Sequence, residues 1–423
     1  MENRGNSSER ARVHNVLPLF LATYPPEECG LATFTRDSAD AVDLVAHGPV
    51  SSCAAIRKTH SLEFNDARVV HTIDNSDPSA YRDAARVANT GPFDVVSIQH
   101  EFGLYPGEWG VDVLDFAAAC RKPIVTTFHT LMSQPAEAPR RIVRNLAAQS
   151  RGIVVMTEIA ARLLGGVYDV PSKCVRVIPH GVPKVSCDRK GVHKSRLGLD
   201  GRRIICTFGL INRGKGLEYM IQAMPKVVAA FPEAMYLIVG ITHPQVKRQE
   251  GEKYRKSLMQ MAAALGVGDH VSFVNEFLVL DELLAHLQAC DIYVTPYIGR
   301  DQIASGTLAY AMAAGLPVVS TPYLYAEEVL AEGRGVLVPF CQSAGLADAT
   351  LRLIADTTFR RATRRQAYEY SKAMRWPNVG RAYFDFFRDV VSQGARRRVR
   401  SIDSSIPISR KPIELGKLLP GSA

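Results

Sequence analysis

Two loops hold the residues best suited to bind and neutralise an anion. In YIGRDQIASGTLAYAMAAGLPVVST, from Tyr297 to Thr321, a polar loop gives way to an apolar run of small residues, then a glycine and a short strand-like segment. Ser305 stands where the helix should begin and is of the type that caps one, so the N–H groups of Gly306, Thr307 and Leu308 are expected to face outward. A helix start carries about half a positive charge, and a glycine there lets phosphate oxygens approach the main chain. The second loop, GLINRGKG, follows the apolar run Ile204–Phe208 and places Arg213 and Lys215 between glycines, beginning with Gly209. Charge growing on a leaving diphosphate calls for such fixed cations and N–H donors. The loop does not complete GxxxxGK[ST], which argues against a P-loop ATPase.

The first half of the chain offers three further positions. The loop TYPPEECG ends at Gly30, just before a helical pattern, and a glycine there would allow close approach of a phosphate or sugar. His100 and Glu101 follow the run Phe93–Ile98, and His129 follows Ile124–Phe128. Both histidines therefore fall at the carboxyl ends of strands, the edge at which open parallel sheets place their chemistry.

The elements that must position these residues are two successive series of apolar strands alternating with helical patterns. Such alternation specifies parallel sheets covered by helices on both faces. The expected fold class is α/β, with two doubly wound Rossmann-like domains facing across a cleft. The expected divisions are a disordered leader (1–12), a first domain (13–182), a polar linker (183–202), a second domain (203–375), a helix crossing back to the first domain (376–394) and a disordered basic tail (395–423).

Composition agrees with a globular chain. At 423 residues, 47% hydrophobic and 22% charged, it is too long for one core and of ordinary polarity. No apolar run reaches the roughly 18 residues that span a bilayer, and the first residues lack a signal-peptide hydrophobic segment, so a cytoplasmic protein is expected. Eight cysteines show no CxxC or metal-ligand spacing and read as small core residues. The net charge of +9 includes a basic tail with seven Lys/Arg against two Asp/Glu from Arg396 onward. A weak attraction of that tail to an anionic membrane surface is one reading, a solvated tail the other. Nothing interleaves basic and aromatic residues in a way that points to nucleic acid.

From about Asn15 to Phe387 the chain resembles the retaining family 4 glycosyltransferases of GT-B architecture. The resemblance rests on Gly209 to Gly216, on AYAMAAGLPVVST, on VIPHGV at the domain junction where the family has VIPNGV, and on AEEVLAEGRGVLVPF. In the last of these, Glu328 takes the place of a family glutamate. The sequence also departs from the family. The loop arginine aligns with Leu210, leaving Arg213 as a substitute, and the two glutamates of E-x7-E align with Gln302 and Tyr310.

The resemblance implies transfer of a hexosyl group from a nucleoside-diphosphate sugar to a hydroxyl of a carbohydrate or other acceptor, with retention of anomeric configuration. It implies Lys215, Arg213 and His129 as catalytic residues. Donor binding falls to Gly30, His100, Glu101, Gly209, Gln302, Ser305, Gly306, Thr307 and Tyr310. No metal and no cofactor are expected, since the family works without a bound metal and the sequence shows no DxD-type carboxylate pair. Another GT-B enzyme, an epimerase or phosphorylase, and a non-catalytic sugar-nucleotide sensor remain alternatives, the last motivated by the missing glutamates.

Overall fold

The computed structural model describes residues 15–58, 62–186 and 190–393. The leader, the tail with its arginine run, and Cys187 lie outside them. The first domain runs β1 (Pro18–Ala22), α1 (Gly30–Ala46), β2 (Ser52–Arg57), β3 (Val69–Asp74), α2 (Ala80–Thr90), β4 (Val95–His100), α3 (Val113–Ala119), β5 (Ile124–Phe128), α4 (Glu137–Gln149), β6 (Gly152–Val155), α5 (Glu158–Tyr168) and β7 (Val175–Val177). The chain continues through α6 (Lys190–Arg196), β8 (Arg203–Phe208), α7 (Leu217–Ala230), β9 (Ala234–Val239), α8 (Pro244–Glu250), α9 (Lys253–Ala264), β10 (Val271–Val274), α10 (Leu280–Ala289) and β11 (Ile292–Thr295). It ends with α11 (Gly306–Ala313), β12 (Val318–Ser320), α12 (Leu324–Val329), β13 (Val336–Leu337), α13 (Ser343–Ala355), α14 (Thr357–Ser371) and α15 (Trp376–Ser392).

The central strands are continuous apolar runs because helices cover them on both faces. β1, β4 and β5 are buried along their whole length. The strands pair in parallel, in the orders β3-β2-β1-β4-β5-β6-β7 and β10-β9-β8-β11-β12-β13. Each order reverses direction once, between β1 and β4 in the first sheet and between β8 and β11 in the second. These are the topological switch points, where crevices open outside the carboxyl ends of the strands. The loop after β1 leads into Gly30 at the start of α1, and β4 ends at His100 with Glu101 following it. The loops after β8 and β11 carry Lys215 and Ser305.

α15 returns to the first domain and packs on α1. At Gly380 a Cβ would fall 2.3 Å from the carbonyl oxygen of Ala41, so the two backbones meet directly. Phe384, Phe387 and Val390 join Phe20, Val125 and Val154 in one buried cluster. At roughly 1.5–3 kcal/mol for each large apolar side chain buried, this face holds α15 firmly. The stretch read as a linker contains α6, whose Lys194 donates to Asp291 at 2.7 Å. Its basic composition concealed a helix because only seven residues form it, with no buried side chain to set a period.

The two domains interlock. Phe34 and Met156 of the first domain belong to a core cluster of the second, while Ile303 and Leu324 of the second belong to a core cluster of the first. Polar bonds cross as well. The carboxylate of Glu328 accepts the N–H groups of Glu158 and Ile159 at 2.9 and 2.7 Å, capping α5 from the other domain. Ser133 Oγ donates to Asp301 at 2.5 Å.

Candidate active site

The site forms where the loops after β8 and β11 meet. Ser305 caps α11, its Oγ accepting the Leu308 N–H at 3.3 Å. Leu308 N–H is thereby occupied, leaving Gly306 and Thr307 to present theirs at the helix start. The rest of α11, from Leu308 to Ala313, is buried, which is why its residues are small or apolar. Opposite this start, Gly216 at φ +58° closes the Lys215 turn so tightly that a Cβ would lie 2.2 Å from the carbonyl oxygen of Pro296. Any other residue there would push the two loops apart.

Lys215, Tyr297 and Thr307 form a chain of polar contacts across this junction. Lys215 Nζ donates to Tyr297 Oη at 2.5 Å and lies 4.1 Å from the centre of that ring. Tyr297 Oη lies 2.9 Å from Thr307 Oγ1, which is 3.2 Å from Ser305 Oγ. Gly209, at φ +126°, passes beside both, since a Cβ there would stand 3.2 Å from Thr307 Cγ2 and 3.5 Å from Lys215 Nζ. Burial lowers the Lys215 pKa to about 8, so the ammonium is largely charged at neutral pH but lacks a carboxylate partner among the described residues. A cation and two hydroxyls thus meet beside the start of α11. A fixed cation beside a helix start suits an anionic group such as a phosphate.

Arg213 does not join them. It is exposed, bonded to Glu250 at 3.1 Å and stacked 5.0 Å over Tyr254, so the substitute arginine expected from the sequence faces away from Lys215. The first domain contributes unevenly too. His129 Nε2 pairs with Gln99 Oε1 at 2.9 Å, and Gln99 Nε2 donates to Ser97 at 3.1 Å. With the Gln99 amide in this orientation, His129 carries its proton on Nε2 and keeps Nδ1 as an acceptor. Burial, with the nearby His180 and His100, lowers its pKa to about 3. It is a neutral hydrogen-bonding group at pH 7.

His100 is a correction. Its ring is fully buried among Phe102, Tyr105 and Phe128, both nitrogens lack a partner among the described residues, and burial lowers its pKa to about 3. As the last residue of β4 its side chain packs into the first domain's core rather than lining the strand edge as a free polar group. Glu101, one residue on, accepts from Thr130 Oγ1 at 2.6 Å and from the Phe102 N–H at 3.1 Å, and burial raises its pKa. Gly30 opens α1 with no atom within 4 Å of where a Cβ would sit, beside the cap Cys29, whose sulfur accepts the Ala32 N–H at 3.3 Å.

Gln302 donates to Ala304 O at 3.0 Å, bracing its own loop. Tyr310 is buried, and its hydroxyl donates to Asp37 of α1 at 3.3 Å, so it ties the domains together. Sequence reasoning gave no role to His180, Asp37, Tyr297 or Lys58. His180 packs against the α11 start, where a Cβ on Gly306 would lie 2.8 Å from its Nε2. Lys58 Nζ donates to the carbonyl of Gly103 at 3.4 Å, beside the segment that carries Glu101. Only VIPHGV, as a landmark, hinted at His180.

Residues 202–356 match the family model described as Glycosyl transferases group 1, and residues 74–184 match Glycosyltransferase Family 4. The two matches lie on the two domains, and together they span more than half of the chain. The chain belongs to the group 1, family 4 glycosyltransferases. Among curated members, it is 27% identical over 326 residues to a phosphatidyl-myo-inositol mannosyltransferase of Mycolicibacterium smegmatis, covering 76% of this chain and 78% of that one. It is 25% identical over 289 residues to a D-inositol 3-phosphate glycosyltransferase of Saccharomonospora viridis, covering 64% and 65%.

Among solved structures, Anabaena HepE in complex with UDP-glucose superposes with a TM-score of 0.70 at 17% identity, over 88% of this chain and 99% of that one. Sucrose-phosphate synthase of Thermosynechococcus elongatus gives 0.71 at 17%, over 89% and 99%. The architecture is GT-B, and this glycosyltransferase carries its Lys215 and α11 start at the second sheet's switch point. No described helix is long and apolar enough to cross a membrane.

Proposed function

We propose that this glycosyltransferase moves a hexosyl group from a nucleoside-diphosphate sugar to an acceptor hydroxyl with retention of anomeric configuration. The carrying observation is the convergence of Lys215 Nζ, Tyr297 Oη, Thr307 Oγ1 and the Gly306–Thr307 backbone at the head of α11. In this reading the diphosphate displaces Tyr297 as the partner of Lys215. Charge that grows on the departing phosphate then meets a cation already in place, so the transition state gains more than the bound donor does.

His129, neutral and fixed through Gln99, accepts a hydrogen bond from a donor-sugar hydroxyl at Nδ1. The acceptor attacks from the face the leaving group vacates, and the departing phosphate takes its proton. No protein nucleophile is required. Charge neutralisation is assigned to Lys215 and the helix N–H groups without a metal. A nucleotide-sugar donor is supported by a relative named as GDP-mannose-dependent and by a structural neighbour holding UDP-glucose; the sugar and base of this chain's own donor are left to experiment.

The test is a panel of nucleoside-diphosphate hexoses incubated with and without acceptors, following nucleoside diphosphate release and the anomeric coupling constant of the product. Acceptor-dependent release with a retained anomer is expected. Saturable donor binding with no release across the acceptor panel would identify a sensor instead.

A further inference from the structure

A cavity of about 220 Å³ opens at the opposite edge of the second sheet, lined among others by Lys190, Arg203, Asp291, Arg360, Arg361 and Arg364. Arg203 begins β8 and Asp291 immediately precedes β11, so the cavity sits at the amino ends of strands whose carboxyl ends serve the diphosphate. α14 supplies three guanidinium groups within five residues, two of them one helical turn apart.

The charges there are unbalanced. Asp291 is already engaged by the ammonium groups of Lys190 and Lys194 and by the Ile204 N–H at 2.8 Å. Arg203 holds Glu233 at 3.1 Å. Arg360 donates to the carbonyls of Leu353 and Ile354 at 2.8 and 2.7 Å, and Arg364 Nε donates to that of Gly315 at 2.6 Å. Among the described residues, no carboxylate pairs with Arg360, Arg361 or Arg364. Burial lowers the Arg360 pKa, the neighbouring Arg203, Arg364 and Arg361 add to that, and Asp291 offsets only part of it. Like charges gathered around a hollow repel one another, and an anion in the hollow removes that cost.

We propose that this cavity binds a phosphate group, free, on a small phosphomonoester or on a lipid headgroup of the same chemistry. Guanidinium groups approaching from several directions suit a tetrahedral oxyanion, and Arg364, bonded to Gly315 through Nε alone, keeps its two terminal nitrogens for a pair of hydrogen bonds. The volume is below the roughly 300 Å³ at which pockets for larger organic ligands begin, and it suits a phosphate with a small substituent. Because Arg364 also holds Gly315, just past the carboxyl end of α11, the two anion sites occupy opposite ends of one helix.

The experiment is calorimetric titration of the full chain at low salt with inorganic phosphate and with a hexose monophosphate, beside sedimentation with vesicles containing phosphatidate. Lys215→Ala removes phosphate binding at the donor site, and Arg361→Glu alters an exposed side chain that makes no hydrogen bond or ion pair among the described residues. Saturable binding is expected to persist in Lys215→Ala and to weaken about tenfold or more in Arg361→Glu, the effect of losing one charge-assisted bond. Binding of soluble phosphates assigns a metabolite source, and binding of vesicles alone assigns a headgroup; either supports the site. Binding lost in Lys215→Ala but kept in Arg361→Glu, or no saturable binding of any probe, would overturn it.

Discussion

Replacing Lys215 with Ala or Met should lower turnover by about 10²–10³-fold and leave the fold intact, for reasons that can be worked from its surroundings. Among the described residues the ammonium has a hydroxyl and an aromatic ring for partners and no carboxylate, so its charge is not fully compensated until a diphosphate arrives. With a pKa near 8 it is roughly nine-tenths protonated at pH 7. Removing one preorganised donor of this kind costs about 2.7–4 kcal/mol at the transition state, a 10²–10³-fold fall in kcat. Stability should move the other way, because the folded chain bears the cost of keeping a cation in that place. Lys215→Met should melt at or above the wild-type temperature.

The pH dependence has a definite sign. The folded pKa lies below the unfolded value near 10.5, so between about 8 and 10.5 the unfolded chain binds the proton that the folded chain has lost. The Lys215 contribution to stability therefore rises with pH across that window, whereas turnover falls as the ammonium deprotonates. Bound nucleotide should shift that fall to higher pH. Steady-state kinetics and melting curves from pH 7 to 10 on wild type and Lys215→Met provide the assay. Wild-type turnover by Lys215→Ala, or a wild-type pH profile in Lys215→Met, would refute the reasoning.

Three further expectations rest on other contacts. Burial lowers the pKa of His100 and His129 to about 3 and of His180 to about 4, so below about pH 6.5 the unfolded chain takes up protons that the folded chain refuses. Acid should destabilise the protein by about 1.4 kcal/mol per pH unit for each such site, and His100→Phe should flatten that slope by one proton while leaving turnover unchanged. Tyr310→Glu, which introduces the carboxylate usual in the family, should lower stability by roughly 1–3 kcal/mol or more because it would face the buried Asp37; a melting temperature equal to wild type would argue against that contact. Glu328→Ala removes the carboxylate that caps α5 across the domains and should cost about 0.5–2 kcal/mol of closure, read as a larger radius of gyration in solution scattering; an unchanged radius would show that the cap does not hold the domains.

Legibility followed burial. Ile124–Phe128 could be bounded from sequence, and Ile204–Phe208 to within one residue, because apolar runs report burial in a covered sheet. α8 begins at the proline of a polar stretch and buries no side chain, so it left no such pattern. Strand order cannot be read along a chain, and so neither switch point was visible, although the loops that flank them were selected through their glycines and cations. Arg213 and Lys215 stand two residues apart and looked equivalent. A 3-10 turn at Arg213–Lys215 sends one toward α11 and the other toward Glu250. The Tyr310–Asp37 contact joins residues 273 positions apart, and only the docked domains reveal it.

The central claim is that a diphosphate sits between Lys215 and the start of α11, and a crystal structure with a nucleoside diphosphate tests it most directly. The account predicts phosphate oxygens about 2.7–2.9 Å from Lys215 Nζ and within hydrogen-bond reach of the Gly306 and Thr307 N–H groups, with the Lys215–Tyr297 bond broken. A nucleotide bound elsewhere, with Lys215 still held by Tyr297, would contradict it.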